Sequence, residues 1–153
     1  MKILFVCLGN ICRSPLAEGL FAHHVKNQGL ESEIFTDSCG TGNWHEGELP
    51  DPRMRKTAEK NGIVLTHRAR QISLNDFEEF DYILVMDHQN MKDVLNLNRH
   101  AGSKVKLVSE FHEDYKNQIV PDPYFGDQNG FDEVFEMLNS ITEKLVHHLK
   151  HNK

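Results

Sequence analysis

The chain has 153 residues, of which 39% are apolar and 26% charged, and this size and composition suit one globular domain, residues 1–153. The formal net charge is −6, which argues against a nucleic-acid binder, and no apolar run approaches the roughly 18 residues of a membrane span. The three cysteines are too few for a disulfide framework, and their number is odd. We therefore expect a reduced, cytoplasmic protein.

The first third of the chain predicts a strand, a helix and a second strand. Residues 2–6 form a short apolar run of the kind found in buried parallel strands. Ser14 and Pro15 predict a helix start, because serine is a good N-cap and proline suits the first helical position. Gly29 predicts the end of that helix, and residues 34–38 predict the second strand.

The middle of the chain predicts two helices. Asp51 and Pro52 predict the start of a helix that runs to about Asn61. Ser73 and Asp76 are three residues apart and resemble the capping box of a second, short helix. Both helices lie between predicted strands, which places them in crossover connections.

The remaining elements repeat the alternation of strand and helix. Residues 82–86 are the clearest buried strand, and Asp87 is suited to cap the helix after them. Residues 105–108 predict a fourth strand, and residues 109–130 predict a long polar loop. From Phe131 onward, apolar residues recur with a 3.6-residue period, which predicts a final amphipathic helix.

This order of elements predicts an α/β fold. Strands that alternate with helices imply a four-stranded parallel sheet flanked by helices, in a single three-layer, doubly wound domain. In such folds the functional site lies at the carboxyl ends of the strands. Three segments fall there: residues 7–14, residues 39–50 and the loop after the fourth strand.

The loop at residues 7–14 combines a cysteine and an arginine in a Cys-x5-Arg spacing. It ends on a helix N-terminus, where backbone N–H groups and the helix dipole favour an anion. Gly9 and Asn10 tolerate the left-handed backbone that curls N–H groups into an anion nest. Arg13 can grip two oxygens of a tetrahedral oxyanion, and the positive field favours the thiolate form of Cys7, to which Ser14 could donate. The segment predicts an activated sulfur nucleophile facing a phosphoryl group, although Cys7 could instead be a small buried residue.

Several further motifs follow this loop in order. They are Asp37-Ser38 before Gly40-Thr41, Trp44, Asp51-Pro52-Arg53, His67-Arg68-Ala69-Arg70-Gln71, Phe80-Asp81-Tyr82-Ile83, Met86-Asp87 and Asp122-Pro123-Tyr124. With residues 6–15 they make essentially the whole chain resemble the low-molecular-weight protein tyrosine phosphatases. The resemblance implies hydrolysis of phosphotyrosine and small aryl phosphates through a phosphocysteine intermediate, with Cys7 as nucleophile, Arg13 as phosphate clamp and Asp122 as general acid and base. The implied phosphate-binding residues are Leu8, Gly9, Asn10, Ile11, Cys12, Arg13 and Ser14.

Asp122 lies between two prolines, which stiffen its loop and favour an extended backbone. On spacing alone this segment is a plain turn, and its catalytic role comes from the resemblance. A general acid must be protonated at the working pH, so we expect a pH optimum below neutral.

The resemblance also implies a substrate slot and its supports. Trp44 and Tyr124 would line a slot deep enough to favour phosphotyrosine over the shorter phosphoserine. Phe125 stands where the family often has a second tyrosine, which puts in doubt any regulation by its phosphorylation. Asn10, Ser14, Ser38 and His67 match positions that support the phosphate loop by hydrogen bonds.

Cys12 has two interpretations. It could capture an oxidised Cys7 as a disulfide, which the resemblance also suggests, or it could be a small core residue. We expect no cofactor and no metal ion. The expected partners are a tyrosine-phosphorylated protein, and phosphate or another oxyanion in the active site, with no nucleic acid and no membrane, in a monomer or weak homodimer.

Two other functions fit the sequence less well. An arsenate reductase would relay a disulfide to distal cysteines, but residues 82–90 contain none. A non-catalytic phosphate-binding module would not need Cys7, Arg13 and Asp122 together. Charge is unevenly distributed as well: residues 109–136 hold eight acids and one base, so we expect this stretch to discriminate among peptides by their flanking charge.

Overall fold

The computed structural model describes residues 1–151, and its centre is a parallel sheet of four strands in the order β2-β1-β3-β4. The first strand is fully buried from Ile3 to Val6, which explains its continuous apolar sequence. The predicted fold class is confirmed. The strands are Lys2–Cys7 (β1), Phe35–Gly40 (β2), Tyr82–Val85 (β3) and Val105–Leu107 (β4).

Helices cover both faces of the sheet, as the doubly wound prediction requires. Alternate β1 residues point to opposite faces, so Ile3 and Phe5 join one core and Leu4 and Val6 the other. The first core is covered by α1, α2 and α5, and the second by α3 and α4. The helices are Arg13–Asn27 (α1), Pro52–Lys60 (α2), Asp76–Glu79 (α3), His88–Leu97 (α4) and Gln128–His151 (α5), with a 3-10 turn at Val108–Phe111.

The predicted N-cap of α1 is wrong. The helix begins at Arg13, one residue before Ser14, and the preceding Cys12 makes no side-chain cap bond. The Ser14 hydroxyl is instead within hydrogen-bond distance of Cys7 Sγ (3.0 Å) and the Cys39 carbonyl oxygen (3.3 Å). The first N–H groups of α1 are therefore not satisfied by a serine cap, which leaves them available to a ligand.

The other helix signals are largely confirmed. Asp51 caps α2 by accepting the Arg53 N–H (2.8 Å), and Asp87 caps α4 by accepting the Asn90 N–H (2.8 Å). Gly29 follows α1 with a positive φ of 68°. Only half of the expected capping box forms: the Asp76 carboxylate accepts the backbone N–H of residue 73 (2.8 Å), but α3 starts at Asp76 itself.

Two boundaries differ from their predictions in a way that matters for the site. The second strand runs to Gly40 rather than to residue 38, and in the parallel ladder Gly40 pairs with Cys7. The last helix starts at Gln128, three residues before Phe131, which shortens the preceding loop. Although α5 has 24 residues, no helix within residues 1–151 combines the length and apolarity needed to cross a bilayer.

Candidate active site

The segment from residue 7 to residue 14, called the anion loop below, joins β1 to α1 at the carboxyl edge of the sheet. Asn10 has φ 58°, the left-handed conformation expected for a nest. Within residues 1–151, the backbone N–H groups of residues 9–12 donate to no protein acceptor. Three of the loop's carbonyl oxygens are held from outside, by the backbone N–H groups of Thr41 (2.9 Å), Gly42 (2.9 Å) and Asp51 (2.8 Å).

Asn10 is the centre of the hydrogen bonds that fix this loop. Its Oδ1 accepts the backbone N–H of Arg70 (3.0 Å), which sets the orientation of the amide, and His67 Nε2–H also donates to it (2.9 Å). Its Nδ2 donates to the hydroxyls of Ser14 (2.7 Å) and Ser38 (3.0 Å). The structure thus brings the four predicted support residues into one network around a side chain that is 1% exposed.

The hydroxyl of Ser14 faces the sulfur of Cys7. Because Asn10 already donates to Ser14 Oγ, the hydroxyl hydrogen is directed to Cys7 Sγ (3.0 Å) or to the Cys39 carbonyl oxygen (3.3 Å). A thiolate is the stronger acceptor of the two, so the arrangement can stabilise a charged Cys7.

Arg13 is held rigidly beside Cys7. Its Nη1 donates to Asp87 Oδ2 (2.6 Å) and to the Val120 carbonyl oxygen (2.9 Å), and its Nη2 lies 3.6 Å from Asp122 Oδ2. Burial opposes the charged form of the Arg13 guanidinium, but the charges of Cys7 and Asp87 outweigh burial and raise its pKa. The guanidinium fork is therefore charged and fixed in position before any anion arrives.

Asp87 is a functional residue that the sequence analysis missed. Its Oδ1 caps α4, as predicted, while its Oδ2 orients Arg13 across 74 residues of sequence. The rule that sites lie at the carboxyl ends of strands could have found it, because Asp87 follows β3. The three segments predicted to form the site follow the other three strands.

The segment at residues 120–127, called the acid loop below, places Asp122 over the anion loop. Its first residue, Val120, is anchored because its N–H donates to the Met86 carbonyl oxygen (2.8 Å). Asp122 is 38% exposed in its side chain, and its Oδ1 accepts the backbone N–H of Tyr124 (3.1 Å). Arg53 donates to the Tyr124 carbonyl oxygen (3.0 Å) and lies 5.4 Å from the centre of its ring.

Anion loop and acid loop together enclose a pocket of about 150 Å³. Trp44 is 68% exposed, but its ring is packed against Gly42, where an added Cβ would lie 1.9 Å from the indole. Phe125 stands 93% exposed at the rim. The predicted pocket residues Trp44 and Tyr124 both line the cavity, and the full lining is Cys7, Leu8, Gly9, Ile11, Cys12, Arg13, Trp44, His45, Asp122, Tyr124 and Phe125. Of the eight acidic residues in the stretch 109–136, Asp122 is the one that lines this pocket.

Behind the anion loop lies a second group of ionisable residues. Burial raises the pKa of Glu18 to about 7, and burial lowers the pKa of His67. His67 Nδ1 lies 3.3 Å from Glu18 Oε1 and 3.4 Å from Asp37 Oδ1. Within residues 1–151, these three side chains are the group close enough together to hold a metal ion. However, Ser38 already donates to Glu18 (2.6 Å) and Arg70 to Asp37 (3.0 Å), which supports a hydrogen-bond network instead.

The three cysteines are free and buried. Cys12 lines the pocket beside Cys7, and burial raises the pKa of its thiol. Its capture of an oxidised Cys7 as a disulfide stays a prediction. Burial also raises the pKa of Cys39, whose side chain belongs to the second core.

Comparisons with known proteins place this site in context. The family model described as "Low molecular weight phosphotyrosine protein phosphatase" matches residues 2–153. A protein of that name from Schizosaccharomyces pombe is 44% identical over 149 residues, 95% of each chain. A crystal structure of protein tyrosine phosphatase from Entamoeba histolytica with Hepes in the active site is 38% identical, with a TM-score of 0.94 and coverage of 99% of this chain and 97% of that one. The structure of a Drosophila arginine phosphatase is 30% identical, with a TM-score of 0.89 and coverage of 100% of both chains.

Proposed function

Because the chain belongs to the low molecular weight phosphotyrosine protein phosphatase family and is therefore a phosphoric monoester hydrolase, we propose that it removes phosphate from tyrosine-phosphorylated proteins. In this proposal Cys7 is the nucleophile, Arg13 the phosphate clamp and Asp122 the general acid and base. The observation that carries it is the placement of these three side chains around one pocket, with Asp122 Oδ2 3.6 Å from Arg13 Nη2.

The first half-reaction transfers the phosphoryl group to sulfur. The Cys7 thiolate attacks phosphorus, and the bond between phosphorus and the phenolic oxygen breaks. Asp122 gives its proton to that oxygen, so the tyrosine leaves as a neutral phenol. Arg13 and the free N–H groups of the anion loop bind the non-bridging oxygens, whose charge they stabilise in the transition state.

The second half-reaction regenerates the enzyme. Asp122, now a carboxylate, takes a proton from a water molecule whose oxygen attacks phosphorus. The sulfur–phosphorus bond breaks, inorganic phosphate is released, and Cys7 leaves as a thiolate. The Ser14 hydroxyl, 3.0 Å from Cys7 Sγ, stabilises that leaving group by donating a hydrogen bond.

The pocket's size and walls support an aromatic substrate. A cavity of about 150 Å³ is comparable to the apolar cavities that hold one benzene ring. Its walls include Trp44 and Tyr124, which offer faces and edges to a ring, and the aliphatic Leu8 and Ile11. The ring of a phosphotyrosine side chain matches the apolar walls, and its phosphate matches Arg13 and the free N–H groups of the anion loop.

Phosphoarginine is the second substrate to consider, since a Drosophila arginine phosphatase shares the fold. A phosphorylated guanidinium keeps several N–H donors, which need acceptors when they are buried. The side walls contributed by Leu8, Ile11 and Trp44 carry no side-chain acceptor, and the one carboxylate in the lining, Asp122, is assigned to the reaction. We therefore expect phosphotyrosine to be strongly preferred.

The test measures hydrolysis of one peptide carrying phosphotyrosine, phosphoserine or phosphoarginine, together with a chromogenic aryl phosphate. We expect kcat/KM to be highest for the phosphotyrosine peptide. Acid quenching during turnover should trap a phosphate on Cys7, detected by mass spectrometry. Equal or greater activity on the phosphoarginine peptide would overturn the substrate assignment.

Replacement of the nucleophile provides the matched control. Cys7→Ser should reduce kcat by at least about three orders of magnitude and leave no phosphocysteine. Cys39→Ala also removes one buried thiol but should retain most of the activity. Turnover by Cys7→Ser at the wild-type rate would refute the nucleophile assignment.

Residues 1–153 constitute one catalytic domain in this proposal, active as a monomer or weak homodimer in the cytoplasm. The free state of the three cysteines supports a reducing compartment. Fractionation of cells followed by detection of the protein would test its location, and sedimentation at micromolar concentration would test its assembly.

A further inference from the structure

A second groove adjoins the catalytic pocket, and Trp44 stands between the two. This groove, called the Trp44 groove below, has a volume of about 290 Å³ and is lined by Leu8 and Trp44 on one side and by α4 on the other. Leu8 and Trp44 line the catalytic pocket as well. The two depressions are therefore continuous parts of one surface.

The Trp44 groove has apolar walls and one acidic group. Trp44 and Leu97 are 68% and 48% exposed, so both present apolar surface to whatever occupies it. Asp93 on α4 accepts a hydrogen bond from the side-chain amide of Gln89 (2.9 Å). No cation within residues 1–151 lies within ion-pair distance of the Asp93 carboxylate.

A lysine or arginine side chain matches both features. Its aliphatic stem can cover apolar surface while its charged end reaches a carboxylate. The indole of Trp44 can also attract the cation through its ring face. A glutamate in the same place would meet Asp93 with like charge.

The geometry points to a specificity subsite: we propose that the Trp44 groove binds a basic side chain of the substrate, two residues away from the phosphotyrosine. In an extended peptide, side chains two positions apart point to the same side and are separated by about 6.6 Å, whereas adjacent side chains point to opposite sides. The two depressions share Leu8 and Trp44 in their linings, so they can take two side chains that point to the same side of one peptide. This inference rests on the proposed phosphotyrosine phosphatase function.

Charge selection on this enzyme thus comes from α4 rather than from the acidic stretch 109–136. Asp122 is the acidic residue of that stretch that lines the pocket, and the proposed reaction already uses its carboxyl group. Asp93 lines the adjoining Trp44 groove and takes no part in the chemistry, so its carboxylate is available to bind a neighbouring residue of the substrate.

The experiment compares phosphotyrosine peptides with lysine, alanine or glutamate two positions before or after the phosphotyrosine. For wild type we expect kcat/KM to be about fivefold higher with lysine than with glutamate on at least one side, the size of an exposed charge interaction. Asp93→Asn should remove most of this preference, and Asp93→Lys should invert it. Peptides with the same charges one position away should show no dependence on Asp93.

The control is Asp114→Asn, which removes the same charge from an exposed site outside the groove and should leave the ratio unchanged. Leu97→Ala should lower the preference for lysine over alanine, since it removes the apolar wall. A lysine-to-glutamate ratio that survives Asp93→Asn, or that falls equally in Asp114→Asn, would overturn the inference. Failure of the wild type on the chromogenic aryl phosphate would count against the proposed function itself, whereas good hydrolysis without charge preference refutes only the subsite.

Discussion

The anion loop and the acid loop face each other across the pocket, but they are built very differently. The anion loop is buried except at Leu8 and Gly9, and its Asn10 side chain takes part in four hydrogen bonds. The acid loop carries Asp122 with 38% of its side chain exposed and Phe125 with 93% exposed. The segment that receives the transferring charge is thus fixed in advance, whereas the segment that delivers the proton is held mainly at Val120 and Tyr124.

This contrast predicts which substitutions affect the stability of the fold and which affect only the reaction. A change inside the anion loop should affect both the stability of the protein and the reaction, because the loop is part of the core. A change at Asp122 should affect the reaction alone, since its contacts are few and exposed. The four predictions that follow test this division.

The largest effect is expected from Asp122→Asn. Loss of the general acid should lower kcat by about a thousandfold for phenols that leave poorly, and by much less for activated phenols. The decline in rate that we expect above neutral pH should also disappear. The midpoint of urea unfolding should not change. Asp127→Asn, in the same loop, is the control, and equal slowing for all leaving groups would reject Asp122 as the acid.

The second-largest effect is expected from Asn10→Ala, which should lower both the activity and the stability of the protein. It leaves the Arg70 N–H without its acceptor in a buried site and forces alanine into a left-handed backbone. We expect kcat/KM to fall about a hundredfold and the free energy of unfolding by about 3 kcal/mol. Asn117→Ala is a matched control, because Asn117 also has a positive φ (71°) but is exposed. An Asn10→Ala protein of wild-type stability would contradict the division between the loops.

Glu18 makes stability depend on pH through the network behind the anion loop. Its pKa is raised by burial from 4.5 to about 7, so its contribution is fully present below pH 4.5 and is lost as pH rises to about 7. By linkage, the free energy of unfolding falls by at most about 3 kcal/mol over this pH range because of Glu18. The lowered pKa of His67 acts in the opposite sense, costing stability as pH falls below about 6.5.

Unfolding in urea at a series of pH values would measure this effect. Glu18→Gln should remove the decline between pH 4.5 and 7, while Glu31→Gln, which changes an exposed glutamate, should not. A decline that is identical in Glu18→Gln would show that other groups cause it.

The smallest effect is expected at Gly42. An added Cβ would lie 1.9 Å from the Trp44 ring, so Gly42→Ala must displace the indole from the pocket wall. We expect KM for aryl phosphates to rise roughly fivefold through lost ring contact, with inhibition by inorganic phosphate unchanged. Gly102→Ala is the control, because a Cβ there meets no atom within 4 Å. A parallel loss of phosphate inhibition would mean that the change had reached the anion loop.

Much of the fold could be predicted because its signals are local. The buried strands are short apolar runs, and the turn at Asn10 needs a residue that accepts a positive φ. The anion loop could be recognised for the same reason, since its cysteine, its arginine and the helix start are neighbours in sequence.

The parts that escaped prediction depend on contacts between distant segments. The sequence around Asp87 indicates only a helix cap. Its bond to Arg13 exists because β1 and β3 are adjacent in the sheet. The capping prediction for Ser14 failed for a related reason: tertiary structure brings Asn10 and Cys7 to its hydroxyl, and these contacts replace the cap. Local propensity describes what a side chain can do, and packing decides which partner it takes.

The pairing of Asp87 with Arg13 has a consequence for inhibitor chemistry. The guanidinium charge is already balanced by that carboxylate, so a Cys7 thiolate leaves the three groups with a net charge of −1 before any ligand binds. Head groups are then held mainly by directional N–H donors rather than by excess positive charge. A singly charged tetrahedral head group should therefore bind nearly as well as a doubly charged one, which favours sulfonates over phosphonates as starting points for compounds that must cross membranes.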